Sequence, residues 1–234
     1  MNIKTTIFKL KHYLRQQLLE RPVKFHLDST LENVRFGNSY GGWHVLTEPL
    51  NQSSIVYSFG VGEDLSFDCA LADRFGLTVH CFDPTPKSLE WVQNQTLPST
   101  IQFHPYGISA EDGVLQLFPP ANPDHVSYKI ADESSIKGGQ PIEVPVRRLA
   151  SIMQSLKHRH IDLLKMDIEG SEYHVIDDLV RGVLPKQLLI EFHHRYRRIG
   201  KVRETRRAIK KLRNVGYKLF YVSEHGEEFS FVLT

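Results

Sequence analysis

The seven residues Ser58-Phe59-Gly60-Val61-Gly62-Glu63-Asp64 follow an apolar stretch, a placing that suits ligand binding at a strand-to-helix turn. Two glycines at alternate positions let the main chain turn tightly and come close to a ligand, and the helix expected next begins with N–H groups that have no partner within it. A dinucleotide fingerprint would carry a third glycine three positions after Gly62, but Leu65 stands there. That disfavours a pyrophosphate lying along the helix start. Glu63 and Asp64 would repel a phosphate and suit a cation, such as a sulfonium with an amino-acid ammonium. Asp83 comes 21 residues after Gly62 and precedes Pro84. An acid at that distance is placed to accept hydrogen bonds from ribose hydroxyls; the competing reading is a cap on the next helix. Tyr106-Gly107 closes a later strand, where an adenine-lining segment belongs.

A second group gathers further on. Asp167 and Glu169 end one expected strand, and Glu191, His193 and His194 end the next. Ligands of open α/β sheets bind outside the carboxyl ends of the strands, so these groups can meet at one mouth. An imidazole titrating near neutrality can take a proton from a hydroxyl. Strand alternation puts Glu191 and His193 on one face, with Phe192 and His194 on the other. His193 is therefore a base or an orienting residue, with a structural histidine as the equal alternative. Asp167 could hold the amino group of a methionine-like ligand, position an acceptor, or bind a divalent ion. Asp167, Glu191 and His193 form an acceptable oxygen/nitrogen set. No paired acids follow the fifth expected strand, so no metal ligand is assigned. Glu172 reads as a first-turn acid complementing a helix dipole. Tyr40 or Trp43, beside Gly41-Gly42, could cover the ligand or form a plain turn.

These residues need a frame, and the pattern supplies one. From Ser54 onward, apolar runs alternate with amphipathic segments of helix length, the signature of a parallel, doubly wound sheet. Strands are expected at 55–59, 77–82, 101–108, 161–168 and 187–194, with shorter ones at 114–119, 125–130 and 142–149. A helix should run from about Lys201 to Asn214, with Gly216 past its end. Strands 217–222 and 228–233, joined by S-E-H-G-E, should close the sheet as an antiparallel hairpin.

The 234 residues suit one domain better than two, and a formal charge of +2 provides no global field for nucleic acid. Cys69 and Cys81 show neither pairing nor metal spacing, which fits a reducing, cytoplasmic setting. The N-terminal twenty residues carry Ile3, Ile7, Leu10, Leu14 and Leu18 on one helical face. They read as a helix over a domain edge or in a homodimer contact, neither signal peptide nor membrane span. Their basic residues leave peripheral membrane contact as the weaker alternative. The basic run Arg195–Arg213 reads as a solvated helix flank, or as a surface for an acidic substrate or RNA.

The segments R-F-G-N-S-Y-G-G-W (35–43), V-Y-S-F-G-V-G-E-D (56–64), H-C-F-D-P-T (80–85), K-M-D-I-E-G-S-E (165–172), I-E-F-H (190–193) and E-F-S-F-V (228–232) together resemble the FkbM-type methyltransferases and their methyltransferase-like relatives. The resemblance covers roughly residues 35–234. It implies a Rossmann-like class I α/β fold, with a seven-stranded, mostly parallel sheet and a C-terminal antiparallel hairpin. It also implies S-adenosylmethionine as methyl donor, and O-methylation of a sugar, glycan or small hydroxylated metabolite. RNA or protein methylation, or a silent binding protein of the same fold, are the alternatives. The expected division is a cap segment, 1–45, and a catalytic domain, 46–234. Expected donor-binding residues are Ser58, Phe59, Gly60, Gly62, Glu63, Asp64, Asp83, Pro84, Tyr106, Gly107 and Asp167; expected catalytic residues are Asp167, Glu191 and His193.

Overall fold

A parallel sheet covered by helices on both faces needs largely apolar strands, and the central segments of this chain are mostly so, three of them buried along their whole length. The computed structural model describes residues 23–118, 129–130, 140–194 and 200–234; the expected N-terminal helix and Arg195, Arg197 and Arg198 lie outside them. Five parallel strands form the centre: β3 (Val56–Phe59), β4 (Val79–Phe82), β5 (Ile101–His104), β10 (Leu163–Met166) and β11 (Gln187–Glu191). The closing hairpin, β12 (Tyr217–Val222) and β13 (Glu228–Leu233), matches the expected bounds, and β13 inserts antiparallel between β11 and β12. The order is β12-β13-β11-β10-β3-β4-β5. This is the expected seven-stranded sheet with one reversed strand.

Helices cover both faces. On one side α1 (Ser66–Phe75) packs with an N-terminal hairpin, β1 (Val34–Phe36) and β2 (Trp43–Val45), around Val56, Val79, Leu163 and Leu189. On the other side α3 (Leu149–Leu156), α4 (Glu172–Leu179) and α5 (Gly200–Asn214) cover Tyr57, Phe82, Leu164 and Leu188. Helix α2 (Pro86–Gln93) starts on Thr85, whose hydroxyl caps the Ser88 N–H, with Pro86 at the first helical position where its missing N–H costs nothing. Hairpin β1–β2 is tied to the sheet by Gln187, whose amide donates to the Leu46 carbonyl at 2.9 Å and accepts from the Leu46 N–H at 2.9 Å.

Each central strand is shorter than its expected run, and two of the differences bear on the site. The run 101–108 breaks at Pro105, which has no N–H to give a ladder. It becomes β5 and a separate β6 (Gly107–Ile108). Strand β6 joins β7 (Gly113–Phe118), β8 (Lys129–Ile130) and β9 (Ile142–Arg147) in a second sheet, order β6-β9-β7-β8. The run 187–194 ends as a strand at Glu191, so His193 and His194 sit in the connection that follows.

Candidate active site

At the carboxyl end of β3 the chain turns through Gly60 and Gly62 at φ +87° and +57°. A Cβ on Gly60 would lie 1.9 Å from the Asp167 carbonyl oxygen, so this close approach of two strand ends admits only glycine. The turn is fixed from three sides. The Lys165 ammonium donates to the Gly60 carbonyl at 2.7 Å, and the Ser88 hydroxyl to that of Gly62 at 2.6 Å. Asp83 accepts the Val61 and Gly62 N–H groups on one oxygen, both at 3.0 Å, and the Thr85 N–H and hydroxyl on the other, at 2.9 and 2.6 Å. A carboxylate has about four lone-pair sites, and all are engaged. The expected ribose acceptor thus serves first as the brace of the glycine turn, combined with the capping role that competed with it.

Asp64 is similarly committed. It accepts the Ser66 N–H at 2.8 Å and the Asn38 side-chain amide at 3.0 Å, starting α1 and anchoring the loop that carries Tyr40 and Trp43. Glu63 is the more open acid of the turn, its side chain 42% exposed and 4.0 Å from Lys87.

A cavity of about 460 Å³ lies above these strand ends. It is lined by Phe59, Gly60, Gly62, Glu63 and Asp64 of the turn, by Asp83, Pro84 and Gly107, and by Asp167, Glu191 and His193. Two expected residues are elsewhere. Ser58 is fully buried inside β3, because its side chain points into the sheet packing. Tyr106 turns its ring toward Phe82 and under the Arg147 guanidinium, 4.5 Å from the ring centre, once Pro105 has broken the strand. Tyr40 and Trp43 both line the cavity. Sequence reasoning missed its apolar wall, Leu115, Leu117, Val144 and Val146 from the second sheet, because periodicity does not reveal which short strand folds over which mouth. It also missed Lys165, His225 and Glu228. For Lys165 a signal existed, a lone cation within an apolar strand.

Beside the glycine turn, at the ends of β10 and β11, stands a carboxylate–imidazole cluster. Its backbone is set by the sharp reversal after β10, where Glu169 takes φ +54° and Gly170 φ +104°. The Nε2 atom of His193 lies 3.4 Å from Glu169, 3.6 Å from Asp167 and 3.8 Å from Glu191. Its Nδ1 donates to Glu172 at 2.9 Å. Glu172 is wholly buried and also accepts the Gly170 N–H at 3.0 Å. It is therefore a support for His193 rather than a simple first-turn acid. Burial alone would lower the His193 imidazole, but the hydrogen bond and charge of Glu172, with Asp167 and Glu169, outweigh it and raise it to about 10. Burial, then the Asp167 charge, pushes Glu191 up to about 9. Asp167 is raised by burial against the opposing pull of Lys165 and His193. His194 points away, its Nδ1 3.2 Å from the Thr205 hydroxyl.

Arg203, Arg206 and Arg207 are exposed on α5 and do not line the cavity. No helix among the described residues is long and apolar enough to cross a membrane.

Residues 34–219 match the model of the Methyltransferase FkbM domain. The chain is 29% identical over 147 residues to "Probable methyltransferase-like protein 24" of Homo sapiens, covering 61% of this chain and 33% of that protein. The Rattus norvegicus protein of the same name is 29% identical over 142 residues, covering 59% and 32%. The chain thus spans about a third of the length of these curated relatives. Methyltransferase FkbM from Methylobacillus flagellatus KT, a solved structure, is 16% identical with a TM-score of 0.49, over 78% of this chain and 44% of that one.

Proposed function

The chain belongs to the FkbM methyltransferase family, and from that premise we propose that it is an S-adenosylmethionine-dependent O-methyltransferase acting on an uncharged hydroxyl of a sugar, glycan or small metabolite. The observation that carries this reading is the joining of the glycine turn and the Asp167–Glu191–His193 cluster in one cavity. S-adenosylmethionine, when bound, supplies a methyl carbon activated by the sulfonium, with the electron pair of the broken C–S bond staying on sulfur.

The residues present fit that donor. The turn brings main chain to the ligand without a Cβ at Gly60 or Gly62, and Pro84, Gly107 and Ile108 give the adenine a close, largely apolar bed. Glu63 and the acids beyond it suit a ligand bearing two positive charges. The acceptor oxygen must lose its proton as its bond to the methyl carbon forms; the Asp167 carboxylate takes that proton, while His193 and Glu191, which hold their own protons near neutral pH, orient the hydroxyl. Among the described residues, Lys165 is the only lysine or arginine lining the cavity, against Glu63, Asp167, Glu169, Glu191 and Glu228. That balance disfavours phosphorylated or uronic acceptors and RNA.

Calorimetry with S-adenosylmethionine and with NAD tests the donor; no heat from S-adenosylmethionine at millimolar concentration would sink the reading. A labelled-methyl screen over neutral glycans, nucleotide sugars and RNA tests the acceptor. His193→Ala should lose transfer and keep donor binding. Full transfer by that variant would remove His193 from the chemistry.

A further inference from the structure

Of the large apolar side chains that the described residues leave exposed, only Tyr40 lines the cavity, at 82% exposure. A large aromatic ring kept in water is informative where its loop is held still, and this loop is. Asn38 Oδ1 accepts the Tyr40 and Gly41 N–H groups, both at 2.8 Å. The Asn38 side-chain amide donates to Asp64 and its N–H to the Ser66 hydroxyl, each at 3.0 Å. A Cβ on Gly37 would lie 2.8 Å from the Gly42 Cα, and one on Gly41 2.2 Å from an Asp64 carboxylate oxygen, so the loop packs on itself and on the start of α1. Trp43, where β2 begins, is buried with the Lys165 ammonium 5.6 Å from its ring, and is fixed wall. We propose that Tyr40 is the platform on which a neutral sugar ring of the methyl acceptor stacks, with the ring hydroxyls turned to the carboxyl groups of Asp167 and Glu191.

Sheet order puts Tyr40 in the acceptor half of the cavity. Pro84 and Gly107 follow β4 and β5, on one side of the glycine turn; Asp167 and Glu191 lie at the ends of β10 and β11, on the other. Burial, then the charges of Asp167, Glu191, Glu169 and Asp64, raises the Tyr40 phenol above its ordinary value. The hydroxyl end of the ring therefore lies toward the β10 and β11 ends, away from the bed offered to adenine. A sugar ring has an apolar C–H face and a rim of hydroxyls pointing in several directions. The face suits an aromatic platform, and the rim suits carboxyl groups that accept from more than one direction. A nucleotide or phosphorylated sugar would meet Asp64 and Asp167 with charge of the same sign. Catechol carries its hydroxyls on one edge only and would use little of that rim. What the bound ring is for rests on the methyl-transfer reading; its binding can be measured without transfer.

The test is saturation-transfer nuclear magnetic resonance on the full chain, with the methyl glycosides of glucose, galactose, mannose and fucose and with catechol, alongside calorimetry with S-adenosylmethionine. At least one glycoside should bind, with saturation strongest on its ring C–H protons. Tyr40→Ala should weaken that binding roughly tenfold, and Tyr40→Phe, which keeps the aromatic face, by no more than about twofold. Both variants should bind S-adenosylmethionine as the wild type does. The exposed Tyr40 adds little to the core, so both should keep the fold, checked by circular dichroism. Glycoside binding that Tyr40→Ala leaves unchanged, equal losses in the two variants, or binding of catechol alone would overturn the proposal. S-adenosylmethionine binding with no glycoside binding would sink the platform and leave the methyl-transfer reading. Glycoside binding through Tyr40 with no S-adenosylmethionine binding would do the reverse.

Discussion

Lowering the pH from 7 to 5 should cost the fold about 2 kcal/mol through His80 alone. His80 lies in β4 at 8% exposure. Its Nδ1 is 3.1 Å from His104 Nε2, its ring is edge-on to Tyr57 and 5.0 Å from the His158 ring, and the Tyr57 hydroxyl is 2.8 Å from His158 Nδ1. Burial, then the charges that His104 and His158 would carry, pushes the His80 imidazole down from 6.5 to about 4. The unfolded chain therefore binds a proton near pH 6.5 that the folded chain refuses until about pH 4. The associated stability is fully present above 6.5, is lost as the pH falls toward 4, and changes no further below it. At about 1.36 kcal/mol per pH unit the whole loss is about 3 kcal/mol, of which about 2 kcal/mol has gone by pH 5. His104 and His158 are lowered too, by burial first and then by Arg147 and His160 respectively, and they add in the same direction. Urea unfolding followed by circular dichroism at pH 7, 6 and 5 measures the effect. With a slope of about 2–3 kcal/mol per molar, the His80 share moves the midpoint by roughly 0.7–1 M. His80→Gln keeps a polar side chain and removes the titration. It should lower stability at pH 7 and flatten the profile by that amount. Parallel wild-type and variant profiles would refute the reasoning.

Three further substitutions probe the glycine turn. Gly60→Ala drives a methyl group to 1.9 Å from the Asp167 carbonyl at φ +87°; a loss of about 2–4 kcal/mol should lower the melting temperature by roughly 5–15 °C. Gly170→Ala, at φ +104° with nothing within 4 Å, should lose much less, and equal losses would contradict the packing argument. Asp83→Asn leaves one acceptor oxygen where two now take four hydrogen bonds. It should cost about 1–3 kcal/mol and weaken S-adenosylmethionine at least tenfold by calorimetry, whereas unchanged affinity would show that the brace is not needed for the donor. Lys165→Met strips the Gly60 carbonyl of its donor and buried Asp68 of the cation that offsets its desolvation. A loss of about 3 kcal/mol is expected in chemical unfolding, and Asp68→Asn in the same chain should recover part of it; no recovery would separate the two groups.

Most of the main-sheet strands and the polar groups at their ends were legible along the chain. Short, mostly apolar runs of strand length, alternating with helix-length amphipathic segments, are the pattern of a parallel sheet, so β3, β4, β10 and β11 were legible. The S-E-H-G-E turn between β12 and β13 was equally so. Gly60 and Gly62 announced a backbone conformation that other residues avoid, and Asp167, Glu191 and His193 could be placed at neighbouring strand ends by order alone. Tertiary structure decided what each polar group does, because a hydrogen bond depends on separations of a few ångströms between residues far apart in the chain. Asp83 sits where a ribose acceptor belongs, yet its oxygens are engaged by Val61, Gly62 and Thr85. Tyr106 reads as part of an adenine wall, yet Pro105 ends the strand before it and its ring goes to Phe82 and Arg147. Glu172 reads as a helix-start acid, and only the approach of the segment after β11 to the start of α4 makes it the partner of His193 Nδ1. Local pattern shows which segments are strands; the separations among these groups, and so the charge each carries, exist only once the sheet has brought the strand ends together.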